Sequence, residues 1–178
     1  MNTSQLIQVI QHDQQSRNKF CGVYSSDLLP SNIDRYPCGI IVNTDPHTEK
    51  GSHWLALYFP TKERGEFFDS YGKRPAFYNK NFELFLNTHS KSWTYNHRCL
   101  QGLFSSTCGQ FCLYFVMNRN RGKPFNKIIN SFSKNTTFND HRVTVFVHRY
   151  LNFVKPKKHD KKTNQIAVSH VQSKNRKR

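Results

Sequence analysis

Cys108 stands at the junction of two unlike stretches. Before it runs a polar, glycine-bearing loop containing Gln101, Gly102, Ser105, Ser106 and Thr107; after it come Phe111, Cys112, Leu113, Tyr114, Phe115, Val116 and Met117. A segment that is apolar all round reads as a buried helix, and Ser105, Ser106 and Thr107 can each cap its N-terminus. Cys108 then falls in the first turn, at the positive end of the helix dipole, which favours the reactive thiolate. Gly109 leaves the next position open to a close neighbour. A nucleophilic thiol needs a base, a group that orients the base, and donors for the oxyanion formed when it attacks a carbonyl. His53 opens the run HWLALYFP, Asp69 closes the run EFFD, and PTKERG between them is a turn signal. A hairpin there returns Asp69 to within a residue or two of the level of His53, where its carboxylate could orient the imidazole. Gln101, seven residues before Cys108, could donate its side-chain amide to the oxyanion, with the Cys108 N–H as second donor.

Each residue also has a plainer reading. Asp69 could cap the FFDSYG turn, Gln101 could be an ordinary loop residue, and His53 a strand-end surface histidine. His97 is the nearest rival base because it lies close to Gln101. Cys21, Cys38, Cys99 and Cys112 read as small buried hydrophobes.

The positioning elements follow from periodicity. Residues 3–16 carry Leu6, Ile7 and Ile10 at helical spacing after Thr3 and Ser4, which gives a short amphipathic surface helix. Residues 17–36 read as a loop. CGIIVNT (38–44) and HWLALYFP are strands; both faces of the second are apolar apart from His53, as for a central strand covered on both sides. EFFD is a third strand. Residues 76–90 place Phe77, Phe82, Phe85 and Leu86 at helical spacing, and SWTYNHRCL (92–100) is an outer strand leading to Gln101. Gly122 and Pro124 end the Cys108 helix. Residues 138–153 mix β-branched residues with a helical length, and a helix is expected there. The resulting class is α+β, a mixed sheet packed against the Cys108 helix, with the site in the cleft between them.

The chain has 178 residues, enough for one domain with a proper core, and its 15 Phe make that core largely aromatic. No run approaches the roughly 18 apolar residues of a membrane helix. The opening MNTSQLIQVIQHDQQ lacks an apolar signal core. Five cysteines, an odd number without CxxC or zinc spacing, argue against a disulfide scaffold or a metal site and for a reducing compartment. The net charge of +16 points to an acidic partner, most often nucleic acid. Half of it lies in residues 155–178, a basic tail expected to be disordered after a 1–154 domain. Lys155, Lys157, Lys158, Lys161, Lys162, Lys174, Arg176, Lys177 and Arg178 stand against the single Asp160. The tail has no aromatic residue to stack on bases, so it would bind phosphates without regard to sequence. KPKKHDKK would also serve as a nuclear localisation signal.

The order His53, Asp69, Gln101, Cys108 resembles that of adenovirus-type maturation cysteine proteases (adenain-like), found in adenoviruses, adenovirus-like viruses and Maverick/Polinton elements. Distant relatives of these are the proteases specific for ubiquitin-like proteins such as SUMO. CGVYSSDLLP, CGIIVNT, GSHWLALYF, FFDSYG and LQGLFSSTCGQFCLYF carry the resemblance, in family order, over roughly the first 120 residues. It implies a papain-like cysteine protease fold with His before Cys in the chain. It also implies an endopeptidase that cleaves virion or capsid precursors at Gly-containing sites in the host nucleus and the virion. The adenovirus enzymes commonly have Glu where Asp69 stands, and either carboxylate can orient an imidazole. Their activation by DNA, by a short viral peptide, or by both carries over as an expectation, with no obligatory cofactor and a monomeric enzyme. Ser90, however, stands where the activator-linking cysteine would be. Two other functions compete: removal of a ubiquitin-like modifier at Gly-Gly, and a non-enzymatic DNA-binding protein that has kept an old protease fold.

Overall fold

The computed structural model describes residues 1–151; the whole of the basic tail, 155–178, lies outside them. Five strands form one mixed sheet in the order β1-β2-β3-β4-β5. They are β1 (Phe20–Tyr24), β2 (Cys38–Asn43), β3 (Trp54–Thr61), β4 (Arg64–Phe68) and β5 (Ser92–Tyr95). The β2–β3 and β3–β4 pairs are antiparallel, whereas β1 runs parallel to β2 and β5 parallel to β4. The helices are α1 (Thr3–His12), α2 (Pro75–Tyr78), α3 (Lys80–His89), α4 (Cys108–Asn120), α5 (Phe125–Asn130) and α6 (Thr136–Leu151). The class is α+β. Among the described residues no helix is long and apolar enough to cross a membrane.

Strand alternation divides the core in two. Ile41, Ala56, Tyr58 and Phe68 face α4 and join Leu6, Val9, Ile10, Phe111, Phe115, Val143 and Val147. Ile40, Val42, Leu55, Leu57, Phe59 and Phe67 face the other way, onto Phe82, Phe85 and Leu86 of α3. Side chains of successive strand residues point to opposite faces, so the doubly apolar HWLALYFP is the strand that both layers require. Phe68 and Phe115 stack across the sheet–helix interface with ring centroids 4.6 Å apart.

Several elements differ from expectation. The first helix stops at His12 and is capped by Asn2, whose side chain accepts from the Gln5 N–H while Gln5 reaches back, 3.0 Å each. Its buried face, Leu6, Val9 and Ile10, belongs to the core rather than to the surface. The stretch 17–36 is not wholly a loop, because it contains β1, all five of whose residues are half-buried, with no alternation to betray them. The 76–90 helix is two helices separated by Asn79, which caps α3 by accepting from the Asn81 N–H. Phe77 therefore leaves the apolar face and is 64% exposed. The helix over 138–153 forms and begins two residues early, at Thr136. Cys21 and Cys38 are joined as a disulfide between β1 and β2, Cα atoms 5.8 Å apart, and are not isolated small hydrophobes. Their separation of 17 positions gave no hint that parallel pairing sets these strands side by side. With a disulfide present, an odd cysteine count no longer speaks for a reducing compartment.

Candidate active site

β3 and β4 form the hairpin expected of PTKERG, with Ala56 opposite Phe68. Asp69, directly after β4, thus lies near the start of β3, where His53 precedes Trp54. The imidazole Nε2 meets Asp69 Oδ1 at 2.7 Å. With Nε2 engaged, Nδ1 is the ring nitrogen left for the Cys108 thiol, whose influence helps to raise the imidazole pKa. Cys108 is the first residue of α4, and the backbone N–H groups of Trp54 and Gly109 help to lower its thiol pKa. The imidazole and the thiol are only 8% and 9% exposed, so the chemistry is nearly desolvated yet reachable. Gly109 allows close approach, as a Cβ there would lie 3.2 Å from Met1 Cβ and 3.4 Å from the Trp54 ring.

Asp69 is a hub rather than a turn cap alone. Fully buried, its Oδ1 also accepts the Tyr71 N–H at 3.1 Å, and its Oδ2 accepts the Lys73 N–H at 2.8 Å and the Tyr78 hydroxyl at 3.0 Å. Its backbone is clamped by Asn96, whose Oδ1 accepts the Asp69 N–H while Nδ2 donates to the Asp69 carbonyl. The His53 ring lies between Tyr71 and Tyr78, centroids 5.0 and 5.4 Å away. Gly72 adopts φ +72° with the Arg98 backbone 2.6 Å from where a Cβ would be, so only glycine closes this turn without strain.

Gln101 is 1% exposed and doubly held. Its Oε1 accepts from Ser70 Oγ at 2.6 Å, and its Nε2 donates to the Ser105 carbonyl at 2.8 Å. One amide hydrogen is thereby used and the other is free for an acceptor. The Cys108 N–H, in the first turn of α4, has no acceptor within the helix. Ser105 and Thr107 do not cap α4; their hydroxyls are drawn to Asp140 instead. His97 is exposed and lies against the Tyr95 ring at a tilt of 52°. Cys99 is exposed. Cys112 is fully buried, which pushes its thiol pKa well up and leaves it inert. Ser90 is buried and donates to the Leu86 carbonyl. Among the described residues no group of acidic, His and Cys side chains could hold a metal ion. A groove of about 360 Å³ runs past Trp54 between Met1–Thr3, Tyr24 and residues 43–51. A larger cleft of about 720 Å³ lies around Glu66 and Arg119; neither is lined by His53, Asp69, Gln101 or Cys108, and only the groove includes a direct sequence neighbour of one of them, Trp54.

Burial opposes charge on both reactive groups, but their mutual attraction prevails. For His53, desolvation pulls the pKa down, yet hydrogen bonds and charge from Asp69 and Cys108 raise it to about 9. For Cys108, desolvation pushes up, while the hydrogen bond and charge of His53 and the two N–H groups bring it below the usual thiol range. The thiolate–imidazolium form is the one that both shifts favour, and the two groups titrate as one coupled system. The active form appears as pH rises through the depressed thiol pKa and vanishes as the imidazolium loses its proton near 9. The expected kcat/KM profile on a peptide is a bell whose alkaline limb falls near pH 9. An alkaline limb near 7 would mean a neutral resting imidazole.

No protein-family model matches the sequence, and no curated protein does. Solved structures do. The fold is similar to the central domain of the uncharacterized Lpg1148 protein from Legionella pneumophila, with a TM-score of 0.51 at 14% identity, over 84% of this chain and 98% of that one. The ASFV pS273R protease matches with a TM-score of 0.49 at 15% identity, over 78% of this chain. A selenomethionine form of it matches with a TM-score of 0.39 at 21% identity, over 60% of this chain. The chain spans 64% and 42% of the length of those two.

Proposed function

We propose that the chain is a cysteine endopeptidase, of virus or virus-like origin, that cleaves structural precursor proteins. The observation that carries the reading is the buried Asp69–His53 pair, 2.7 Å apart, with the thiol at the start of α4 coupled to the same imidazole. The viral origin and the precursor substrates rest on the ordered sequence resemblance to adenovirus-type enzymes. In this mechanism the Cys108 thiolate attacks the scissile carbonyl carbon, and the carbonyl π electrons move to oxygen. The Cys108 N–H and the Gln101 amide stabilise that oxyanion. As the tetrahedral intermediate collapses, the C–N bond breaks and His53 gives its proton to the leaving amine. Water, deprotonated by His53, then releases the acyl group. Asp69 holds the imidazole throughout. The groove beside Trp54 is where the substrate chain would lie.

The test is labelling with a peptide vinyl sulfone ending in Gly, followed by mapping of the modified residue. Label on Cys108, blocked by His53→Ala, is expected; label on exposed Cys99 alone would sink the reading. Cleavage of a Gly-Gly modifier conjugate in preference to precursor peptides would move the enzyme to the deconjugating class.

The basic tail is proposed to hold the enzyme on duplex DNA through phosphate contacts, beside DNA-bound substrates. Affinity is then expected to drop by roughly 10³-fold between 50 and 200 mM salt if about six contacts form. Removing residues 155–178 should flatten that salt slope and leave cleavage of a small free peptide unchanged. Equal DNA affinity of the truncated enzyme would place the contact on the body instead.

A further inference from the structure

The chain from Leu100 to Thr107 has no regular structure, yet it is fastened along its length. Ser70 holds its start, with its carbonyl accepting the N–H groups of Leu100 and Gln101 at 2.8 and 3.1 Å. The first turns of α6 hold the rest. Fully buried Asn139 donates from Nδ2 to the Leu100 carbonyl at 3.0 Å. Next to it, half-buried Asp140 accepts the Gly102 N–H on Oδ2 at 3.1 Å, and the Ser105 and Thr107 hydroxyls on Oδ1 at 2.9 and 2.6 Å. A Cβ on Gly102 would come within 2.8 Å of that carboxylate, so loop and helix meet closely.

The positions fastened are those that matter for an oxyanion. Gly102 follows Gln101, and Thr107 precedes Cys108. Ser105 is itself the acceptor that orients the Gln101 amide. We infer that Asp140 is a positioning residue of the oxyanion site: through Ser105 it aims the Gln101 amide, and through Thr107 it places the Cys108 N–H. This inference rests on the cysteine-protease reading above. Donors held in place before reaction stabilise developing charge without reorganising, which is where most of their value lies. Hydrogen bonds to a carboxylate are also stronger than neutral ones, so three of them can hold a loop that has no ladder of its own. The carboxylate touches neither the thiol nor the imidazole, and its removal should spare thiolate formation.

Two reagents separate the roles. Iodoacetamide alkylates the thiolate at carbon with loss of iodide and forms no oxyanion. A peptide aldehyde ending in Gly is attacked at its carbonyl carbon, and the resulting alkoxide needs the oxyanion donors until the imidazolium protonates it. For Asp140→Asn and Asp140→Ala, kcat on a peptide substrate should drop by about 10- to 100-fold with KM within about threefold, as expected for a transition-state contact. Aldehyde affinity should weaken in parallel, while the pH profile of Cys108 alkylation stays that of the wild type. Should either variant fail to show a cooperative melt, Ser105→Ala and Thr107→Val carry the same comparison with one hydroxyl removed at a time. Unchanged kcat and aldehyde affinity in a folded variant would overturn the inference. So would an equal loss of alkylation, which would mark a general disturbance of the site. A wild-type Cys108 that alkylates no faster than exposed Cys99 would instead overturn the protease reading, and the inference with it.

Discussion

Cys108→Ala is expected to leave a folded protein with peptide cleavage reduced by at least about 10⁴-fold, the scale on which removing a nucleophile from a catalytic triad acts. Stability should change by less than about 1 kcal/mol, since one small side chain at the end of a helix is lost and Asp69 still partners the imidazole. The substitution has a second signature. The thiolate helps to hold the His53 pKa at about 9, so its loss should let that value fall, as read from the imidazole proton shifts. Substantial cleavage by the folded variant would remove Cys108 from the mechanism. A His53 pKa that did not move would break the proposed pair even if cleavage were lost.

Asp69→Asn should damage both rate and fold, unlike the first substitution. The carboxylate is fully buried and takes four donors, two on each oxygen. An asparagine of the same shape must turn its NH₂ group towards two of them, whichever way it is placed. Facing buried donors with a donor, and removing the charge that binds them, should cost about 2–4 kcal/mol of stability. Cleavage should fall by roughly 10²-fold or more through loss of imidazole orientation. The loss should still be smaller than for His53→Ala, because the imidazole that lowers the thiol pKa and carries the proton is kept. Chemical denaturation with cleavage assays on both variants checks this. Wild-type stability in Asp69→Asn would mean that these hydrogen bonds count for little, and equal rate losses would mean that the imidazole is useless without the carboxylate.

What could be read in the chain was what has a local signature. His53, Asp69 and Cys108 sit at the ends of apolar runs whose period marks strand or helix, and the turn between the first two sets their register. Gln101 was singled out by its distance from Cys108, although its partners Ser70 and Ser105 had no such mark. The supporting groups lack any such mark. Asn96, Asn139 and Asp140 are single polar residues brought in by long-range packing, and their spacing carries no period. The Ser105–Thr107 run has the composition of a helix cap, but the competing Asp140 carboxylate 33 residues downstream of Thr107 claims its hydroxyl. β1 escaped because it is short and evenly half-buried, and the Cys21–Cys38 link because pairing of strands, not spacing, brings the two together.

The two halves of the site reach one another by routes of very different length. His53 and Asp69 are brought together by a hairpin, sixteen residues apart, a contact that closes cheaply. The thiol lies fifty-five residues from its base, and it arrives only when α4 docks across a sheet whose edge strand β5 is added after the α2–α3 crossover. Contacts between distant parts of a chain are formed late and slowly relative to local ones. A nascent or partly folded copy would therefore hold an oriented imidazole with no nucleophile beside it. On the proposed protease reading, hydrolytic power would emerge only at the last packing step, so a chain whose own loops are still open to attack would have nothing yet to attack them with.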